Sequence, residues 1–127
     1  MLINREILSS PDQLADRLED SVFRYCVFSE LSYEGGHIDA SFLSCEFTRV
    51  EWYWGLFNVC VFVGCKFNNC IFSGTSFSDC KFVDCTFVDC RFTLDNMGSD
   101  CTFDGTVFYG CTQTNVVGLN SLVACVP

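Results

Sequence analysis

The sequence predicts a repeat protein of the solenoid class, and two observations support this prediction. Between residues 55 and 94 a phenylalanine occurs at every fifth position, usually with a cysteine two positions before it. All fourteen phenylalanines of the chain fall on one such register, which contains one early step after Ile38 and one late step after Met97. A period of five matches neither the strand period of two nor the helix period of 3.6. The internal repeat therefore decides the fold class.

This Cys-x-Phe-x-x pattern resembles the pentapeptide-repeat family in its cysteine–phenylalanine variant. The resemblance implies an all-β solenoid, namely a right-handed quadrilateral β-helix in which each coil has four faces and each pentapeptide forms one face. A coil then takes about twenty residues, and the repeat supplies about five coils. Adjacent coils are expected to pair at the strand spacing of about 4.8 Å, so that equivalent residues stack.

The N-terminal segment carries the signals of a helix start. In Ser10–Gln13, a serine N-cap precedes a proline at the first helical position, and the glutamine completes a capping box. Leu14 and Leu18 lie one helical turn apart. We therefore predict a short helix at about 11–19 that covers the open end of the solenoid, because terminal repeats need a cap. Residues 2–8 are expected to be either a short strand or an extended arm.

The register divides the chain into three parts and predicts which residues stack. We expect an N-terminal cap at 1–20, the β-helix at 21–112 and a degenerate C-terminal cap or tail at 113–127. Four inner columns follow, each named from the N-terminal coil upward: Phe23, Phe42, Phe62, Phe82 and Phe103; Phe28, Phe47, Phe67, Phe87 and Phe108; Tyr33, Trp52, Phe72 and Phe92; Ile38, Phe57, Phe77 and Met97.

The cysteines are predicted to be small buried fillers rather than a redox or metal motif. Ten of the eleven obey the repeat, and only Cys125 lies outside it. Successive cysteines fall on different faces, and stacked pairs lie near 4.8 Å apart, beyond the spacing of β-carbons in a disulfide. We expect reduced thiols in the cytoplasm, since the N-terminus lacks the apolar run of a secretory signal. Cys125 is the expected accessible thiol.

Charge and composition argue against several functions. The formal net charge of −9 disfavours direct nucleic-acid binding, which depends on lysine and arginine. The apolar runs are too short to span a bilayer. A cysteine nucleophile needs a positioned base, and the one histidine, His37, follows two glycines in an expected exposed turn. We predict no enzyme activity, no cofactor and no metal.

Residues between the inner positions face outward and supply candidate contacts. Leu43, Val63 and Val83 are expected to align as an apolar stripe on one face. Valine on a solvated sheet can also reflect strand propensity alone, whereas an aligned apolar stripe often marks a contact surface. The full candidate surface is Leu43, Tyr53, Trp54, Val63, Val83 and Leu94, where the last lies two coils beyond Trp54.

Two functions follow from these surfaces. The favoured one is a non-enzymatic scaffold that binds a protein partner, as an immunity, adaptor or effector-associated module in a bacterium. The resemblance implies the alternative, an acidic DNA mimic that inhibits or protects DNA gyrase or topoisomerase IV, with Asp79, Asp84 and Asp89 as its acidic surface. A homodimer through a β-face or the C-terminal tail is left open. Lys66, Lys81 and Arg91 interrupt the acids of the repeat, which disfavours the mimic.

Overall fold

The chain winds into a solenoid of short strands in the computed structural model, which describes residues 1–119 and, for the backbone only, strand Cys125–Val126. The strands are β1 (Leu2–Asn4), β2 (Ile7–Leu8), β3 (Glu19–Arg24), β4 (Val27–Glu34), β5 (His37–Leu43), β6 (Glu46–Tyr53), β7 (Leu56–Asn58), β8 (Val61–Val63), β9 (Lys66–Asn68), β10 (Ile71–Ser73), β11 (Ser76–Ser78), β12 (Lys81–Val83), β13 (Thr86–Val88), β14 (Arg91–Thr93), β15 (Val107–Tyr109), β16 (Thr112–Thr114) and β17 (Cys125–Val126).

The strands form four parallel ladders, one on each face of the coil. Face 1 has the order β1-β3-β5-β8-β12-β15-β17, and face 2 has the order β2-β4-β6-β9-β13-β16. Face 3 joins the later residues of β4 and β6 to β10 and β14, and face 4 joins the start of β5 to β7 and β11. The fold is the predicted right-handed quadrilateral β-helix of about five coils.

Stacked aromatic rings fill the interior. Phe42, Phe62 and Phe82 are direct register partners in successive strands of face 1. Their ring centroids are 4.7 Å and 4.5 Å apart and the rings are nearly parallel. The strand spacing of a sheet is therefore also a stacking distance for phenylalanine. The predicted core phenylalanines are buried, except Phe103, which is partly buried.

The inner cysteines and threonines lie beside the rings and donate hydrogen bonds to the preceding coil. Cys65 Sγ lies 3.2 Å from the carbonyl oxygen of Phe42. Eight cysteines are buried, which confirms their prediction as fillers, while the side chain of Cys125 lies outside the described residues. Contacts with the thiols of Cys45 and Cys85, together with burial, raise the pKa of Cys65. A thiol that stays protonated keeps its hydrogen for the carbonyl below.

The predicted stacking is wrong beyond Phe92, because six residues rather than one are inserted there. Phe103 stacks on Phe77 with centroids 5.3 Å apart, and Phe108 pairs with Phe82. The sequence predicts Phe82 as the partner of Phe103 and Phe87 as the partner of Phe108, so both predictions are wrong by one face. Met97 is not an inner residue, since it is 81% exposed.

The same register predicts that the small inner residues Thr106, Cys101 and Cys111 continue the columns of Cys85, Cys80 and Cys90, and these predictions are wrong in the same way. Thr106 Oγ1 accepts a hydrogen bond from the backbone N–H of Cys80 at 3.2 Å, so it does not continue the column of Cys85. Cys101 donates to the carbonyl of Phe72 at 3.2 Å, and Cys111 donates to that of Phe82 at 3.3 Å. Each of the three therefore occupies the face before the predicted one.

The predicted helix at 11–19 is also wrong, because only Pro11–Gln13 is helical and it is a single 3-10 turn. The capping signal itself is real, since Gln13 Oε1 accepts from the backbone N–H groups of Ser9 and Ser10 at 2.7 and 3.0 Å. The turn ends at its C-cap Leu14, and by Leu18 the chain has joined the coil, because the Leu18 carbonyl accepts a hydrogen bond from the backbone N–H of Asp39 at 2.8 Å. Residues 2–8 are strands β1 and β2, so the first coil begins at Leu2.

Candidate interaction surface

Face 1 carries a column of apolar side chains on its outer surface, half-buried at Leu43, Val63 and Val83 and exposed at Tyr109. Leu43, Val63, Val83 and Tyr109 are register partners in β5, β8, β12 and β15. The alignment of the first three follows the sequence prediction, and their role as contacts stays a prediction. Tyr109 was missed because the predicted stacking placed Phe103 above Phe82, which would have put Asp104 at the top of this column.

A second outward column runs beside the first on the same strands. It contains Val61 and Val107, with Lys81 between them. The alternation of outward and inward residues along a strand gives each pentapeptide two outward positions. We call the six apolar residues the face 1 patch: Leu43, Val61, Val63, Val83, Val107 and Tyr109.

Face 2 provides an internal comparison for strand propensity. Its outward columns contain Glu46, Lys66, Thr86 and Thr112, and Thr48, Asn68, Val88 and Thr114. Threonine is as suitable for a strand as valine. Because face 2 uses polar residues on the same kind of strand, propensity alone does not explain the valines of face 1.

Tyr53 and Trp54 lie on a different side of the coil from the face 1 patch. Tyr53 is the last residue of β6 on face 3, and Trp54 occupies the corner that leads to face 4. Leu94, two coils further on, is exposed at the start of the inserted segment 94–100. The structure therefore separates the six predicted contact residues into two surfaces that one flat partner does not reach together.

The segment 94–100, which adds six residues to the single corner residue of an ordinary repeat, forms a loop that is anchored on these two aromatic residues. Asp95 Oδ2 accepts the indole N–H of Trp54 at 2.7 Å, and the Tyr53 hydroxyl oxygen accepts the backbone N–H of Asn96 at 2.8 Å. Asp95 Oδ1 also accepts the N–H groups of Met97 and Ser99 at 2.8 and 2.9 Å. The polar groups of Tyr53 and Trp54 thus hold the loop.

Lowering the pH is expected to release this loop from Trp54. Hydrogen bonds from the backbone N–H of Ser99 and from the Trp54 indole hold the pKa of Asp95 below its ordinary value of 3.8. The stabilisation by the ionised carboxylate is fully present above 3.8 and is lost as the pH falls through the lower pKa of the folded loop. In a Trp52→Phe background, the fluorescence of Trp54 should change in that acid range while far-UV circular dichroism stays constant.

The control for this experiment is Asp95→Asn in the same background. An amide does not titrate, so its fluorescence is expected to be flat over the same pH range. An identical acid transition in both proteins would show that Asp95 does not anchor the loop.

The acidic residues of the repeat do not converge on one site. Asp79, Asp84 and Asp89 occupy three successive corners, each with φ near +53° or +54°. Asp89 accepts a hydrogen bond at 2.7 Å from Nδ2 of Asn115, which lies in the next coil.

The described residues contain no cluster of three or more metal-ligating side chains. They also contain no helix with the length and apolar character needed to span a bilayer.

A groove of about 430 Å³ at the N-terminal end contains the one histidine. His37 is exposed at the start of β5, and its Nδ1 lies 3.3 Å from Glu19 Oε1. The lining residues are Leu14, Asp16, Leu18, Glu19, Asp20, Tyr33, Gly36 and His37, among which there is no serine, threonine or cysteine. The groove therefore does not pair the histidine with the serine, threonine or cysteine that such a base ordinarily activates.

The four-faced coil and the period of five residues define a class of protein, a right-handed β-solenoid of five-residue repeats. Residues 60–93 match the family model for pentapeptide repeats, in eight copies. The repeat segment of the chain is therefore a pentapeptide-repeat array, as the cysteine–phenylalanine pattern predicts. No curated protein sequence matches the chain.

Several solved structures are similar to the chain. A trypsin-treated variant of QnrB1, a plasmid-mediated fluoroquinolone resistance protein, is 15% identical over 90% of this chain and 54% of its own length, with a TM-score of 0.39. Full-length QnrB1 is 10% identical over 85% of this chain and 93% of its own, with a TM-score of 0.39. The pentapeptide-repeat protein Rfr23 from the cyanobacterium Cyanothece 51142 is 10% identical over 92% and 84%, with a TM-score of 0.41. The chain thus spans about half the length of the first of these.

Proposed function

We propose that the chain is a non-enzymatic scaffold that docks a protein partner through the face 1 patch, as an immunity, adaptor or effector-associated module. The observation that carries this proposal is the unbroken register of Leu43, Val63, Val83 and Tyr109 on a flat parallel ladder. Four aligned strands fix these side chains on a rigid backbone. A rigid apolar surface loses little conformational entropy when a partner binds.

The size of the patch indicates how a partner would use it. Four strands at about 4.8 Å and three residues at about 3.3 Å span roughly 19 by 10 Å. Stable interfaces bury about 800 Å² on each partner, so the patch would form the apolar centre of a larger contact. The exposed polar residues at the corners would then form its rim, in the usual arrangement of protein interfaces.

The experiment that tests the scaffold compares two doubly substituted proteins. Val63→Asp with Val83→Asp places two carboxylates in the centre of the patch. Thr48→Asp with Val88→Asp adds carboxylates at the same position of the pentapeptide on face 2. Partners copurified from the host are identified and purified, and their affinity for each protein is measured by calorimetry. We expect the face 1 variant to bind at least about tenfold more weakly, with the control close to the unsubstituted protein.

Circular dichroism and thermal unfolding establish that both variants are folded. Equal affinity of the two variants would remove face 1 as the docking surface. Sedimentation of the unsubstituted protein reports in the same series whether a second copy takes the partner's place, which is the homodimer through a β-face. The buried thiols favour the cytoplasm of a bacterium as the location, because cytoplasmic thiols stay reduced.

The second candidate is a DNA mimic that acts on DNA gyrase or topoisomerase IV, and the formal net charge of −9 favours it. The spread of Asp79, Asp84 and Asp89 over three corners weighs against it. A supercoiling assay with purified gyrase decides between the two functions. Inhibition, or protection from a quinolone, that is lost in the Asp79→Asn, Asp84→Asn, Asp89→Asn variant would replace the scaffold by the mimic.

A further inference from the structure

The corner that leads from face 4 onto face 1 holds a strained and exposed valine. Val59 has a φ of +55° and is 58% exposed. Its backbone N–H donates to the carbonyl of Ser78 at 2.9 Å, which fixes this left-handed conformation in the ladder. A β-branched residue is disfavoured in that region because its side chain is crowded by the following carbonyl.

Other corners use residues that tolerate this conformation. The equivalent positions in the next two coils are Asp79, with φ of +53°, and Gly105, with φ of +65°. Aspartate and asparagine enter the left-handed region more readily than valine, and glycine enters it without penalty. Among the described non-glycine residues with positive φ, Val59 is the only β-branched one. Such strain persists where another requirement maintains it, and it clusters at functional sites.

The surroundings of Val59 indicate what that requirement is. Leu56, at the start of β7 on face 4, is 51% exposed. Val61 and Val63 follow Val59 on face 1 as part of the face 1 patch. One coil thus carries apolar side chains around the corner without a charged residue between Leu56 and Val63.

We propose that the docking surface continues around this corner to Leu56, with Val59 as a central contact, and that its occupant is a protein surface with an apolar centre and a rim of lysine and arginine. This inference rests on the proposed docking through face 1 and adds the chemistry of the partner. It also identifies Val59 as a contact residue, although Val59 lies at the corner and belongs to neither outward column of face 1. The strain at Val59 is then the consequence of placing an apolar contact at a corner.

The charges around the surface select a basic rim. Lys81 and Arg24 are the exposed cations on face 1. Acids border the surface on both faces and at both corners, and all are exposed or half-buried: Glu19, Asp39, Asp79, Asp84 and Asp104. Complementary charges steer association and exclude partners of the same sign. A second copy of this chain would bring the same acids together, so it fits the surface poorly.

The test separates contact from conformation by replacing Val59 with asparagine, the residue present at the corners Asn69 and Asn115. Val59→Asn relieves the strain and removes the apolar contact. We expect the midpoint of thermal unfolding to rise by a few degrees and the affinity for a binder to fall by about tenfold or more. A merely structural role would change the first measurement and not the second.

The probe is a displayed library of a small rigid domain with randomised surface residues, selected on the unsubstituted protein. The matched control is Arg49→Asn, which relieves a left-handed corner on the diagonally opposite edge, where φ is +51°. Its affinity for the selected binders is expected to stay unchanged. The inference is supported by binders that carry apolar residues flanked by lysine and arginine and that lose affinity for Val59→Asn but not for Arg49→Asn.

Other outcomes overturn the inference and separate it from the proposed function. Binders that retain their affinity for Val59→Asn but lose it for the Val63→Asp, Val83→Asp protein would overturn the role of Val59 and leave docking through face 1 in place. Binders unaffected by either protein, or no enrichment at all, would overturn both. A rim without lysine or arginine in the selected binders would refute the proposed partner chemistry.

Discussion

Replacing Phe62 with alanine is expected to lower the free energy of unfolding by about 3–5 kcal/mol. Phe62 is buried between Phe42 and Phe82, with ring centroids 4.7 and 4.5 Å away. The removed ring leaves a cavity inside a ladder whose backbone spacing is fixed by hydrogen bonds, so the coil collapses little around it. Urea denaturation followed by circular dichroism measures the loss, which is a large part of the roughly 5–15 kcal/mol by which domains are stable.

The control is Phe103→Ala in the last described part of the same core. Phe103 is partly buried and stacks on Phe77 at a longer centroid distance of 5.3 Å. Its truncation is expected to have a clearly smaller effect, because less ring surface returns to water. Equal losses at the two positions would show that the stacked interior does not determine the stability of the coil.

Replacing Cys65 with alanine is expected to lower the free energy of unfolding by about 2 kcal/mol, from one lost hydrogen bond and a small cavity. The thiol donates to the carbonyl of Phe42 at 3.2 Å. Thr75 and Thr106 make the equivalent hydrogen bonds to Trp52 and Phe77 at 3.2 and 2.9 Å. The second variant, Cys65→Thr, should therefore lose less than half as much free energy of unfolding as Cys65→Ala.

The comparison of the two Cys65 variants identifies what the repeat requires at this position. A smaller loss of stability with threonine than with alanine would show that a small hydrogen-bond donor is needed at this position. Equal losses would show that the volume of the sulfur atom is what matters. Denaturation under reducing conditions measures both variants without interference from thiol oxidation.

The sequence was sufficient for the part of the fold that depends on spacing alone. From Phe23 to Phe92 the inner residues, the faces and the register partners follow from counting, because each pentapeptide supplies one face. The alignment of Leu43, Val63 and Val83 follows from the same count. Their use as contacts does not, since spacing carries no information about a partner.

The count failed after Phe92 because Met97 lies five residues further and is apolar. From Phe57 to Phe92 every inner residue has glycine, cysteine or threonine two positions before it, and position 95 is an aspartate instead. The segment Asp95–Asp100 also has the composition of a turn, with Gly98 at a φ of +82°. These two signals together would have placed a loop there. Its contact with Trp54 depends on a distance in space that no local pattern contains.

The length of the N-terminal helix and the backbone conformation of Val59 do not follow from the sequence, for different physical reasons. Capping residues indicate that a helix begins and do not indicate its length. The helix is the single turn Pro11–Gln13, and by Leu18 the chain is already hydrogen-bonded to Asp39 of the next coil. Val59 looks like an ordinary strand residue, because the left-handed conformation is imposed by the corner rather than by valine. Tertiary structure overrides local preference at both positions.

The 94–100 loop shows that a corner can accommodate additional residues while the strands on either side keep their places in the coil. Cys101 lies within 3.7 Å of the carbonyl of Thr93 on the other side of the loop, so the ends of the insertion are adjacent. Because repeats contact only their neighbours, extra length at this point does not propagate along the rod. A peptide graft between Thr93 and Cys101 would project from one edge of a stiff support. The solenoid is therefore suited to the display of grafted peptides, because the chain already carries an insertion at this corner.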